Sequence, residues 1–249
     1  MEKLSGILNG IDVQAFDPNT DPLIKQNYTG KDLSLRKVNK EDLQKEFGLP
    51  IRPDTPLIAF VGRLSKQKGM NLILKILPHI LSEYDVQFVI LGTGDAVFRK
   101  DFLKLSKEYK SKMKVHFHPD FKLPRKIFAG ADIVLIPSLF EPGGIVALEA
   151  LRYGAIPLVR KTGGLADIVT DFVPKSKTGN GLVFEHPNEW AFFAAVVRAL
   201  GLYQFPNEWE TLIKNAMASD FSWETVAKEY VELYEHISRK RKQFIKKNS

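Results

Sequence analysis

The stretch Ile133-Val134-Leu135-Ile136-Pro137-Ser138-Leu139-Phe140-Glu141-Pro142-Gly143-Gly144-Ile145-Val146-Ala147-Leu148-Glu149-Ala150 decides how this chain is read. Its opening apolar run has no polar interruption, which describes a strand over 133–137 buried on both faces, as in a parallel sheet. The turn Glu-Pro-Gly-Gly then breaks the strand, and a helical pattern follows over 144–152. A strand, a glycine turn and a helix make up the repeating unit of an α/β domain.

Working outward, the same unit recurs. Apolar β-rich runs at 57–61, 86–91, 115–118, 156–159 and 182–184 alternate with helical segments at 70–83, 96–109, 124–129 and 165–169. Six strands in strict alternation predict an α/β fold with a doubly wound, six-stranded parallel sheet of Rossmann type. Three consecutive helices are expected after Phe184, at 189–203, 208–218 and 223–239, the last capped by Ser222 with Thr225 at the capping-box position. Residues 1–53 are rich in turn formers, with only 40–47 helical in pattern, and read as a strap leading into the domain at 54–238. Residues 239–249 form a basic tail.

Composition sets the bounds. The 249 residues are 44% hydrophobic and 26% charged, which excludes a disordered or fibrous chain. No run reaches the roughly 20 apolar residues of a membrane helix, and the first residues carry no secretory signal, so a soluble protein is expected with no membrane partner. The absence of cysteine excludes disulfides, a thiolate nucleophile and Cys-ligated metals, and fits a reducing compartment. Lys and Arg number 36 against 29 Asp and Glu, a formal charge of +7, but six of those cations lie in 239–249. The body is nearly neutral, which argues against a nucleic-acid partner. The tail is read as a solvated, frayed helix end, with an anion-binding patch or an import signal as the alternatives.

Four strand-to-helix turns carry the polar chemistry. In Gly62-Arg63-Leu64-Ser65-Lys66-Gln67-Lys68-Gly69, Arg63 offers a planar fork of donors and Lys68 a mobile charge, suited to a diphosphate near a helix N-terminus. Leu91-Gly92-Thr93-Gly94-Asp95 has two glycines that let backbone approach a ligand, yet a tight turn with Asp95 as N-cap explains it equally well. The Glu141 to Glu149 segment brings a carboxylate, the backbone of Gly143, Gly144, Ile145 and Val146, and a fresh helix N-terminus to one place. Carboxylates accept from vicinal hydroxyls and helix-leading amides receive phosphate, which suits a sugar nucleotide. The plain alternative is a capped helix with Glu149 on its wet face. Arg160-Lys161-Thr162-Gly163-Gly164 is a fourth such turn, for which Thr162 as N-cap is the plain account. All four belong to one sheet edge, where open α/β sheets bind ligands. The five histidines offer no third ligand to the pair His116 and His118, no Asp-x-Asp occurs, and Gly-x-Ser-x-Gly is absent. No metal and no cofactor is expected.

In this order the motifs resemble the C-terminal, donor-nucleotide-binding half of bacterial glycogen synthases and plant starch synthases, retaining glycosyltransferases with the two-domain GT-B fold. The resemblance rests on Gly6-Ile7-Leu8-Asn9-Gly10-Ile11-Asp12, Arg63-Leu64 and Gln67-Lys68-Gly69. It continues through Leu91-Gly92-Thr93-Gly94-Asp95, Pro137-Ser138-Leu139-Phe140-Glu141-Pro142, Leu151-Arg152-Tyr153-Gly154, Thr162-Gly163-Gly164 and Asp220-Phe221-Ser222-Trp223. At Gly143 the synthases usually carry Cys, and near Val146 a Thr or Gly. Here this chain is closer to the wider class of retaining glycosyltransferases that place seven residues between two glutamates, as between Glu141 and Glu149.

The resemblance implies that Arg63 and Lys68 hold the donor diphosphate and that Glu141 contacts the glucose hydroxyls. It further implies that backbone around Gly144 to Val146 meets sugar and phosphates, and that Glu149 meets the ribose, with Gly92, Gly94, Gly143 and Thr162 contributing to the nucleotide-sugar site. The implied donor is ADP-glucose or UDP-glucose and the acceptor an α-1,4-glucan. The missing N-terminal GT-B domain is the implied partner, and the compartment is the bacterial cytoplasm, or the plastid of a plant. On this reading the chain alone transfers no glucose. A stand-alone nucleotide or sugar-nucleotide binding module, or the donor domain of another retaining GT-B glycosyltransferase, is the alternative.

Overall fold

In the computed structural model, which describes residues 5–248, the chain forms six strands and nine α-helices. The first four residues of the expected strap and Ser249 of the basic tail lie outside the described residues. In chain order the elements are α1 (Arg36–Glu46), β1 (Leu57–Val61), α2 (Met70–Glu83), β2 (Gln87–Leu91), α3 (Ala96–Glu108), β3 (Met113–His116), α4 (Leu123–Gly130) and β4 (Ile133–Ile136). They continue with α5 (Ile145–Arg152), β5 (Ile156–Arg160), α6 (Gly164–Ile168), β6 (Leu182–Phe184), α7 (Glu189–Tyr203), α8 (Pro206–Ala218) and α9 (Trp223–Asn248).

Every strand pairing is parallel, and the sheet order is β3-β2-β1-β4-β5-β6. This is the doubly wound order expected from the sequence. Winding starts at β1, runs outward to β3, then returns to β4 and runs outward the other way. With right-handed crossovers, the helices therefore cover both faces. The central strands β1 and β4 are apolar throughout because both faces are covered, with Leu57, Ile58, Ala59, Ile133 and Val134 all buried, whereas the edge strand β3, Met-Lys-Val-His, is only partly buried.

Several boundaries differ from the sequence reading: the lead-in helix expected at 40–47 begins earlier, at Arg36, and α8 starts at Pro206, ahead of the expected 208. The third strand lies two residues earlier than expected, because its register is set by β2: Phe88 pairs with Met113 and Leu91 with His116. With β2 ending at Leu91, Phe117 and His118 have no strand to pair with. The last helix also runs to Asn248, well past Arg239. Cations near a helix C-terminus favour helix, and Arg239 is paired with Glu235 one turn earlier at 3.4 Å. The expected cap of α9 is present, with the Thr225 amide donating to Ser222 Oγ at 3.2 Å.

The amino-terminal edge of the sheet is tied by one buried ion pair. Lys40 of α1 and Asp132, just ahead of β4, meet at 2.6 Å, and Asp132 Oδ2 also accepts from the Leu57 amide at 2.7 Å. A helix from the lead-in segment is thereby fastened to the first residue of the central strand. Removing one partner of such a pair leaves a buried charge uncompensated, at a cost of about 3–5 kcal/mol. Asp132→Ala is expected to lower the unfolding free energy by that order in urea titration, with a single transition retained. A loss under about 1 kcal/mol would contradict this account.

Candidate active site

The strand order reverses between β1 and β4, so the crevice beyond their carboxyl ends is where an open α/β sheet presents a ligand site. A cleft of about 570 Å³ lies there, lined by Asn9, Val61, Gly62, Lys68, Ile136 and the turn from Glu141 to Val146. The turn after β1 and the turn after β4 are pressed together. Gly69 has φ +77°, and any Cβ on it would overlap the carbonyl of Pro137. The Leu139 amide donates to the Gln67 carbonyl at 2.8 Å and Gln67 Nε2 to the Phe140 carbonyl at 3.2 Å.

This contact joins the two charged residues of the cleft. Lys68 Nζ donates to Glu141 Oε2, and the buried Ser138 hydroxyl donates to the same oxygen at 3.1 Å. Gly144, at φ +61°, caps α5, whose leading amides at Ile145 and Val146 have no intrahelical acceptor and line the cleft. Cation, carboxylate and helix N-terminus thus converge as the sequence predicts for Lys68, Glu141, Gly143, Gly144, Ile145 and Val146.

The other expected residues are placed differently. Arg63 stands exposed on the same turn as Lys68, with no ion pair or side-chain hydrogen bond among the described residues and outside the cleft lining. Gly92 and Gly94 serve backbone packing: side chains there would overlap the carbonyls of Gly62 and Leu64, and Leu64 forms a parallel bridge to Gly94. Thr162 is outside the lining, and α6 is capped by Gly163 with no side-chain cap bond, so the N-cap role considered for Thr162 does not hold. Its neighbours Gly163 and Gly164 let the fourth turn lie against the Glu141 and Pro142 backbone, the Gly164 amide donating to the Glu141 carbonyl at 3.0 Å. Asp95 does precede α3, also without a side-chain cap bond.

Sequence reading missed three residues. Asn9 lines the cleft, with its side-chain Nδ2 close against Gly143. Ser138 lies beneath Glu141, and Arg160 Nε donates to the Ser138 carbonyl at 2.9 Å. Their only signal was position within motifs already quoted.

Glu149 is half-buried on α5 with no hydrogen-bond partner among the described residues. Burial pushes its carboxyl up to about 7, with the Arg125 guanidinium pulling the other way. Arg125 is itself held by Asp21 at 3.1 Å and the Tyr153 hydroxyl at 3.0 Å, and stacks 3.6 Å over the Phe16 ring. A second hollow, about 480 Å³, lies at the opposite edge of the sheet around Lys40, Asp132, Tyr203 and Trp209. The Lys40 and Asp132 charges there already satisfy each other. Among the described residues no group of three or more His, Asp or Glu could hold a metal ion, and no helix is long and apolar enough to cross a membrane.

A parallel sheet of this order, with a lysine–glutamate pair and an open helix N-terminus at its switch point, has the architecture of one Rossmann-like half of a GT-B glycosyltransferase. The chain belongs to the group 1 glycosyl transferases, the model of that family matching residues 41–217. It is 45% identical to a glycogen synthase of Fervidobacterium nodosum over 95% of its own length and 48% of that protein. It is 42% identical to one of Pseudothermotoga lettingae over 98% and 50%. Among solved structures, it resembles the catalytic domain of starch synthase IV from Arabidopsis thaliana bound to ADP and acarbose, with a TM-score of 0.85 and 37% identity over 93% of this chain and 48% of that one. A sucrose-phosphate synthase from Thermosynechococcus elongatus, at 21% identity and a TM-score of 0.63, shares the fold. The chain spans about half the length of the curated relatives it matches.

The Glu149 shift has a sign that can be tested. Its folded-state value lies above the ordinary 4.5, so the native state holds this proton more tightly than the unfolded chain. Its contribution to stability is complete below about 4.5 and is lost as pH rises through about 7. Glu149→Gln removes that loss. The melting temperature of the variant minus that of the native chain should therefore grow between pH 5 and pH 8, and an unchanged difference would contradict the burial argument.

Proposed function

We propose that this chain is the donor-binding half of a glycogen or starch synthase, which transfers glucose from ADP-glucose, or UDP-glucose, to the non-reducing 4-hydroxyl of an α-1,4-glucan with retention. The single observation that carries the reading is the Lys68–Glu141 pair beside the α5 N-terminus at the switch point. It supplies a cation and free amides for a diphosphate and a carboxylate for sugar hydroxyls within one cleft. The relatives and the ADP-bound starch synthase of the same fold support it.

On this reading Lys68 and the amides of Gly144, Ile145 and Val146 hold the donor phosphates, with Arg63 swinging in from the exposed turn. These cations neutralise charge that grows on the diphosphate as the bond to glucose breaks, which stabilises the leaving group. Glu141 orients the glucose and Glu149 receives the ribose hydroxyls. The acceptor glucan must be held in attack geometry from the far side of the cleft. That wall is assigned to the part of the relatives outside this chain, the N-terminal GT-B domain. The bacterial relatives favour the bacterial cytoplasm as the compartment.

Each charge-assisted phosphate contact is worth about 1.5–3 kcal/mol. Arg63→Ala and Lys68→Ala are each expected to weaken ADP at least about tenfold in calorimetric titration, Arg63→Ala with little change in melting temperature and Lys68→Ala with a fall, because it leaves the buried Glu141 carboxylate without its cation; unchanged affinity in both would overturn the assignment. The purified 249-residue chain should bind ADP yet incorporate no labelled glucose into maltooligosaccharide. Turnover near that of a full-length synthase would place the whole active site within this chain.

A further inference from the structure

A glutamate on a turn has freely rotating side-chain bonds, so its reading of a sugar depends on what holds the carboxylate still. The backbone of the Ser138–Glu141 turn is held from both sides. Arg160 of β5 donates to the carbonyls of Ser138 and Leu139, Gln67 of the β1 turn accepts from the Leu139 amide, and the Gly164 amide donates to the Glu141 carbonyl. What remains free is the rotation of the Glu141 side chain itself.

Two donors meet that side chain, and both use the same oxygen. Lys68 Nζ and Ser138 Oγ both donate to Oε2, while Oε1 accepts from no group among the described residues. The two donors differ in kind. Lys68 is a mobile point charge whose ammonium has three protons to share, so an arriving diphosphate draws on it. Ser138 is 1% exposed, lies outside the cleft lining and has no ligand to answer to. Its hydroxyl donates to the carboxylate side chain, where a turn serine would ordinarily bond backbone.

We infer that Ser138 is a positioning residue for sugar recognition: together with Lys68 it occupies Oε2 of Glu141, so that Oε1 is the edge presented to the donor's hexose. The inference rests on the donor reading above and deepens it. With the Ser138 hydroxyl gone, Lys68 becomes the sole restraint, and it is the group that the diphosphate engages. The carboxylate then loses its fixed rotation when the donor is bound. The loss falls on the hexose contacts and spares the nucleotide, whose phosphates and ribose meet other residues.

The test is calorimetric titration of the native chain, Ser138→Ala and Glu141→Gln with ADP and with ADP-glucose, reading the ratio of the two dissociation constants in each protein. For Ser138→Ala the ratio is expected to move against ADP-glucose by at least about threefold, in the direction Glu141→Gln moves it, with ADP affinity within about twofold of native and the melting temperature little changed. A native ratio in Ser138→Ala, while Glu141→Gln shifts it, would overturn the inference and leave the donor reading intact. Equal weakening of both ligands, or a large fall in melting temperature, would make Ser138 a merely structural residue and also overturn it. A ratio unmoved even by Glu141→Gln would overturn the placement of glucose against Glu141. A native chain that binds neither ligand would overturn the donor reading, and the inference with it.

Discussion

The cleft depends on the close approach of two backbone turns at the point where the strand order reverses. Because Gly69 carries no Cβ, the start of α2 can rest against the Pro137 carbonyl, and the Leu139 amide can reach Gln67. Lys68 and Glu141 are 73 residues apart in the chain and meet only through that contact. A side chain at Gly69 would push the β1 turn off the end of β4 and separate the cation from the carboxylate. The ion pair at the base of the cleft is therefore a consequence of backbone packing, and the other turns are arranged around it.

Several glycines of the cleft edge follow the same logic. Gly92 and Gly94 let the β2 turn lie on the β1 turn, and Gly163 and Gly164 let the β5 turn lie on the Glu141 backbone. The site is thus built as a stack of four turns in which the two central ones carry the charge and the outer two hold them in place. The lead-in segment closes the stack from a third direction, with Asn9 in the cleft and Asp21, Arg125 and Tyr153 forming a buried polar cluster behind α5. That cluster places a guanidinium near Glu149, whose burial without a partner costs stability above neutral pH and leaves a carboxylate free for a ligand.

Most of the fold was legible because parallel strands buried on both faces write themselves as apolar runs, and five of the six strands appear where such runs stand. The exception in register, β3, follows from a partner strand that periodicity within one segment does not reveal. Lys68, Glu141 and the Gly143 to Val146 turn were legible because a strand end, a glycine turn and a helix start leave a local mark. The role of Gly92, Gly94 and Thr162 was not, since a glycine that accommodates a ligand and one that accommodates a carbonyl read identically. Nor did Asn9 or Ser138 announce themselves: the first reaches the cleft from the lead-in segment, ahead of every strand, and the second acts through a side-chain hydrogen bond that no spacing rule encodes.

On the proposed function a nucleoside diphosphate sits at the β1–β4 switch point with its phosphates between Lys68 and the α5 N-terminus. The most direct measurement is a crystal structure of the chain grown with ADP. Phosphate oxygens are expected within hydrogen-bond distance of Lys68 Nζ and of the amides between Gly144 and Val146, with the ribose against Glu149. ADP lodged in the hollow beside Lys40 and Trp209, or seated at the cleft with its phosphates turned away from α5, would contradict it.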